Sequence, residues 1–313
     1  MRKYFTEFGL NVSTAYKTII PVEHLDEVDD GHDYHIYFIL SAPKIFVRPE
    51  SILTECEGIS LQIYKIIGGK QSELQDIKFA LCDGIDHRKL KIECMYPFTS
   101  IEIQTDTGEK IPVDAQVIMN YVNPGREWIF DVLYIGQAYG KQGNRHAQDR
   151  LKSHSTLQKI LTDCNVKYPD RRIYILLLEV APILNSVMDG INKGTVSDEE
   201  ENRHFSNIFE NPLKMEQIIN ITEAALINYF KPEYNINFVD NFPDSAHKGY
   251  SQYYDLDYNS ISVELDLEFN YPYPWVQLVT ETNSIRTSFD FVQYNLFNDP
   301  DRKNMYDIFE RTS

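Results

Sequence analysis

The sequence predicts an α+β protein, and three observations carry that expectation. Short alternating strand patterns crowd the first third, helix-length periodic segments are confined to the middle, and alternation returns in the tail. A chain of 313 residues exceeds the usual size of one domain, so three sections are expected: a β-rich part over 1–115, a small mixed unit over 116–240 and a β-rich extension over 241–313. Hydrophobic residues at 42% and charged residues at 25% supply a sizeable core and do not fit a disordered chain.

In chain order, "HIYFIL", "KIFV", "ISLQIYKII", "IKFALC", "KLKIECMY" and "TSIEIQT" are rich in Ile, Tyr, Phe and Val and are separated by Gly, Asp or Pro, which predicts a β-sandwich or small barrel. The acidic stretch "EHLDEVDDGHD" ahead of them is expected to be a solvated loop. "AQVIMNYVN" and "IFDVLYIG" predict a hairpin turned at Pro124-Gly125. A helix is expected over Arg145 to Thr162, then a buried strand at "RIYILLLEVA". The segment "NPLKMEQIINITEAALINYF" predicts a second helix, with Ile218, Ile221, Ala225 and Phe230 on its apolar positions and Pro232 ending it. In the tail, "SISVELDLEF", "WVQLVTETN" and "FDFVQYNLF" read as strands, either added to the amino-terminal β-region or forming a separate element.

The formal net charge of −17 excludes nucleic-acid binding by bulk electrostatics, since phosphate contacts need local positive charge. That local charge exists. Residues 141–172 hold eight Lys and Arg against three acidic residues. No apolar run reaches eighteen residues and the start lacks a signal-peptide core, so a soluble cytoplasmic protein without membrane contact is expected. The cysteines Cys56, Cys82, Cys94 and Cys164 are widely spaced with no C-x-x-C pair, which predicts reduced thiols rather than a zinc site or a disulfide framework.

The basic window sits on "VLYIGQAYGKQGNRHAQDRLKSH". A strand ending Tyr134-Ile135-Gly136, an earlier tyrosine at Tyr121, the pattern Arg150-Leu151-Lys152-Ser153-His154, and "EAALINYFKPEYN" from Glu223 to Asn235 follow one another in that region. In this order the residues resemble the GIY-YIG nuclease superfamily over roughly 117–240. The late helix and turn are similar to those of its excision-repair branch. Two departures stand out: the family's first Gly-Ile-Tyr falls on Met119-Asn120-Tyr121, and the segment between Gly136 and Arg150 is longer than in compact members.

The resemblance implies a divalent-metal-dependent endonuclease acting on DNA, with a restriction or phage-defence setting. It implies a single Mg²⁺ or Mn²⁺ held by Glu223, a scissile phosphate clamped by Arg150, Tyr121 as general base, Tyr134 positioning the water or phosphate, and Asn235 bracing the site. These residue types suit the chemistry. A carboxylate oxygen is the ligand a hard cation takes, and a guanidinium fork matches a phosphate. A phenol, with an ordinary pKa of about 10, can accept a proton at neutral pH only where nearby positive charge favours the phenolate. His154, four residues after Arg150, is expected on the same helical face, able to relay a proton or bond a phosphate. Lys141, Arg145 and Lys152 are expected on the DNA backbone. A homodimer and a protein activator are both compatible with the pattern. Two competing expectations remain: a catalytically silent nuclease-like interaction module, and a β-sandwich binding protein that uses the aromatic tail.

Overall fold

The computed structural model describes all residues except 29–30, 82–84, 106, 124–127, 139–150, 152–153, 189–193, 270–274 and 308–313. Its strands are β1 (Glu7–Pro21), β2 (Ile36–Pro43), β3 (Ile45–Thr54), β4 (Ile59–Ile67), β5 (Lys70–Gln71), β6 (Gln75–Phe79), β7 (Lys91–Glu93), β8 (Ser100–Gln104), β9 (Lys110–Asp114), β10 (Trp128–Gln137), β11 (Arg171–Val187), β12 (Ser260–Asp266), β13 (Val276–Val279), β14 (Ser284–Ile285) and β15 (Phe289–Asn295). The helices are α1 (Ala115–Val122), α2 (Ser155–Lys167), α3 (Asp198–Glu210), α4 (Met215–Phe230) and the single turn α5 (Gln252–Asp255).

The most apolar runs of the chain, in β2 and β11, become neighbours at the centre of an eight-stranded sheet ordered β14-β13-β10-β2-β11-β1-β12-β15. Seven of the eight residues of β2 are buried, on both faces alike, as expected of a strand covered above and below. One face packs on α4. The other packs on α2, where Leu157 and Ile160 meet Tyr37, Ile39, Ile175 and Leu177. Helix α4 is buried almost all round, from Ile218 to Phe230, because the sheet and the tail strands enclose it. It ends at Lys231 in the left-handed conformation, followed by Pro232.

This sheet corrects the expected division. Its strands come from all three predicted sections, so boundaries at 115/116 and 240/241 run through one sheet rather than between units. The tail strands resolve the open alternative: β12 and β15 extend the sheet beyond β1, and β13 and β14 extend it beyond β10. Nor do the six early strands form one sandwich. The first, β2, joins the large sheet, while β3 to β6 make a four-stranded sheet and β7 to β9 a three-stranded one.

The second correction is α1. "AQVIMNYVN", expected as a strand, is helical over 115–122 despite its Val, Ile and Tyr content. The Asp114 carboxylate caps it, accepting from the Gln116 N–H at 2.8 Å, and Ala115, Ile118 and Met119 are buried at helical spacing against the small β-region. Tertiary burial overrides a weak strand propensity here. The expected Pro124-Gly125 turn lies outside the described residues.

A buried ionic clasp ties the two ends of the chain together. Arg302 donates to Glu7 Oε2 and to Asp257 Oδ1, each at 2.6 Å, and Lys3 pairs with Asp257. The Tyr4 hydroxyl donates to Asp257 Oδ2 at 2.8 Å, while its ring stacks on His204 of α3 at 3.7 Å. Burial pushes the Asp257 carboxyl up, but hydrogen bonds from Lys3, Arg302 and Tyr4 and the Arg302 charge outweigh it and hold it at about 2. Burial also pulls the His204 imidazole below its ordinary value, outweighing the nearby Asp257 and Glu7 charges. No helix among the described residues is long and apolar enough to cross a membrane.

Candidate active site

The site is built at the carboxyl end of β10. Strand β13 pairs with β10 over Trp128 to Asp131, and among the described residues no strand pairs with the outer edge beyond that point. Side chains and backbone from α4 and the turn after it cover this edge. The Tyr234 N–H donates to Leu133 O at 3.1 Å. Asn235 brackets the next position, accepting from the Ile135 N–H at 2.9 Å and donating Nδ2 to Ile135 O at 2.8 Å. One step further along, the Gln137 N–H donates to Glu223 Oε1 at 3.2 Å and Gln137 Nε2 donates to Glu223 Oε2 at 3.0 Å. Alternate edge groups of a strand are thereby satisfied without another strand, which an exposed edge otherwise invites.

Glu223 is only 9% exposed, and its carboxylate is brought from α4 on one sheet face to the strand end. On the opposite face the aromatic groups gather. Antiparallel pairing sets Tyr37 of β2 across from Gly136, and its ring centroid lies 6.0 Å from that of Tyr134. His154 stands against both, 6.1 Å from Tyr37 and 5.5 Å from Tyr134. Gly136 makes this possible. A Cβ there would sit 2.6 Å from Tyr37 Oη, 2.7 Å from its Cζ and 2.8 Å from Tyr134 Cε1, all closer than real side chains approach.

Of the residues singled out by sequence, the structure brings Tyr134, His154, Glu223 and Asn235 to this strand end. Tyr121 lies on α1, 53% exposed, on a helix whose packing partners among the described residues include β3, β6 and β9, whereas the strand beside β10 is β2 and Tyr37 lies beside Tyr134. His154 is also differently set than expected: it is the N-cap of α2, with extended backbone, rather than a residue inside a helix beginning at Arg145. Arg150, Lys141, Arg145 and Lys152 lie outside the described residues.

Sequence reasoning missed Tyr37, Gln137 and Asn220. The signal for Tyr37 was the tripeptide His35-Ile36-Tyr37 opening β2, hidden because residues 44–127 intervene before Tyr134 is reached. Asn220, one turn before Glu223 on α4, accepts from Gln137 Nε2 at 3.2 Å through its Oδ1. The Gln137 amide therefore bonds two acceptors at once.

Chemically, the strand end combines two phenols, an imidazole and a buried carboxylate. Among the described residues, no group of three or more His, Cys, Asp and Glu side chains gathers to hold a metal. Glu223 contributes a carboxylate that accepts from the backbone and side-chain amides of Gln137. That donor type suits a hard cation whose remaining positions go to water and phosphate oxygens. No family model, curated protein or solved structure matches the chain.

Proposed function

We propose that the end of β10 is the active site of a divalent-metal-dependent endonuclease of GIY-YIG type that hydrolyses DNA phosphodiester bonds. The observation that carries this reading is the meeting of Tyr37, Tyr134 and His154 over Gly136, with Glu223 held by the very next residue. The first tyrosine of the resemblance is then Tyr37, in His35-Ile36-Tyr37, and the 44–127 region is an insertion between the two tyrosine strands. Pairing of the two strands side by side, which Met119-Asn120-Tyr121 on a helix does not offer, supports this choice.

On this reading the Tyr37 Oη accepts the proton of the attacking water, and Tyr134 orients that water or the phosphate. Positive charge close by must lower the phenol's affinity for its proton, a role for Arg150 together with the cation. His154 shares or relays the proton beside both rings. Glu223 holds Mg²⁺ or Mn²⁺, whose chemistry when bound is to offset charge on the phosphoryl oxygens and departing oxygen. Asn235 keeps the strand edge fixed against the turn that follows α4, and Lys141, Arg145 and Lys152 hold the DNA backbone.

The test is incubation of the purified protein with supercoiled plasmid, in Mg²⁺ and in chelator, alongside Glu223→Ala and Arg150→Ala. Nicking that requires the cation and disappears in both variants is expected. Nicking that persists in Glu223→Ala, or in chelator, would contradict the proposal.

A further inference from the structure

We propose that Gln137 is a positioning residue for the Glu223 carboxylate, and that Asn220 in turn locks the Gln137 side chain. This inference rests on reading Glu223 as the metal ligand. A glutamate carried on a helix has three rotatable bonds between backbone and carboxylate, so a ligand oxygen placed at a strand end needs a separate fixing contact. Gln137 supplies two, one from its backbone N–H to Oε1 and one from its side-chain amide to Oε2. Because both donors belong to one residue, the carboxylate is oriented directly against the backbone of β10, one residue past the glycine that seats the two tyrosine rings.

The amide orientation follows from chemistry. An ionised carboxylate only accepts, so the NH₂ end of Gln137 must face Glu223, and its second hydrogen then meets the Asn220 Oδ1. Asn220 and Glu223 are three residues apart on α4 and therefore neighbours on its surface. The result is a closed arrangement in which the ligand, its orienting amide and the lock on that amide occupy one helix turn and one strand end. Such outer contacts characteristically govern metal affinity as well as ligand orientation.

The backbone donor survives any side-chain substitution; the amide donor does not. Gln137→Met keeps length and loses only the donor, and Asn220→Leu removes only the lock. Mn²⁺ binding to the full chain, read as free Mn²⁺ by electron paramagnetic resonance, should weaken by roughly tenfold in Gln137→Met and by about threefold in Asn220→Leu. In Gln137→Met, the Mn²⁺ concentration for half-maximal plasmid cleavage should move by the same factor, and saturating Mn²⁺ should restore the rate. A merely structural role would lower the melting temperature and leave Mn²⁺ affinity unchanged. Mn²⁺ affinity within twofold of wild type in Gln137→Met, while Glu223→Ala loses binding, would overturn this inference and leave the site reading standing. Undiminished Mn²⁺ binding by Glu223→Ala would remove the site reading and this inference with it.

Discussion

Two regions of this molecule bury acidic groups, and the partners described for them differ. In the clasp between the chain ends, Glu7 and Asp257 are met by the full positive charges of Arg302 and Lys3. At the end of β10, Glu223 is oriented by the neutral amides of Gln137. A cation partner neutralises a carboxylate, whereas an amide partner orients one. The comparison also extends to aromatic neighbours. Tyr4 covers the clasp with its hydroxyl committed to Asp257, whereas Tyr37 and Tyr134 converge with His154 around a glycine.

The largest expected effects separate the two regions cleanly. On the proposed nuclease reading, Glu223→Gln should reduce metal-dependent plasmid cleavage by on the order of 10³-fold, the equivalent of several kcal/mol of lost electrostatic stabilisation, with little change in melting temperature. Arg302→Met should do the reverse. Leaving Glu7, fully buried, without its guanidinium is expected to cost about 3–5 kcal/mol in denaturant unfolding, while cleavage at low temperature persists. If Arg302→Met abolished cleavage in a fully folded sample, the division between structural and chemical carboxylates would be wrong.

A smaller effect is expected from Tyr37→Phe, which removes one hydroxyl from a ring that is 1% exposed and should slow cleavage about 10²-fold while the fold is retained. Gly136→Ala should lower cleavage and stability together, because its Cβ would collide with both rings. Circular dichroism alongside rate measurements distinguishes the two variants.

The weakest effect is on pH. His204 has a folded-state pKa below its unfolded value, so the unfolded chain binds the extra proton first, and stability should begin to fall as pH drops below about 6.5. Asp257 contributes stability that is complete above the ordinary carboxylate value and is lost as pH falls through its folded value of about 2. Unfolding free energy measured from pH 8 to pH 3 should show a smaller first loss in His204→Phe, which keeps a ring against Tyr4, than in wild type, the remainder coming from His35, whose imidazole burial also pulls down. An unchanged profile in that variant would assign the loss elsewhere.

How much of this was legible in the residues depended on whether the information was local. The buried strands β2 and β11 announce themselves as apolar runs, and α4 by its periodicity and Pro232. Glu223 and Tyr134 lie on elements whose local pattern was unambiguous, and Asn235 in the turn that Pro232 announces, so their convergence on one strand end could be expected from the residues. Tyr37 was not, since no local feature says that the first strand of an apparently separate β-region will cross back to pair with a strand some ninety residues later. The 115–122 segment misled through its β-branched content, whereas its helical state depends on one cap and on what it packs against. Gln137 was invisible for a different reason: a glutamine at the end of a strand acquires meaning only when a carboxylate from a distant helix arrives beside it.

The most direct measurement compares Tyr37→Phe with Tyr121→Phe in Mg²⁺-dependent cleavage of supercoiled plasmid under single-turnover conditions. The strand-end site predicts a loss of about 10²-fold for Tyr37→Phe and a wild-type rate for Tyr121→Phe. A wild-type rate in Tyr37→Phe, with cleavage lost in Tyr121→Phe, would contradict it.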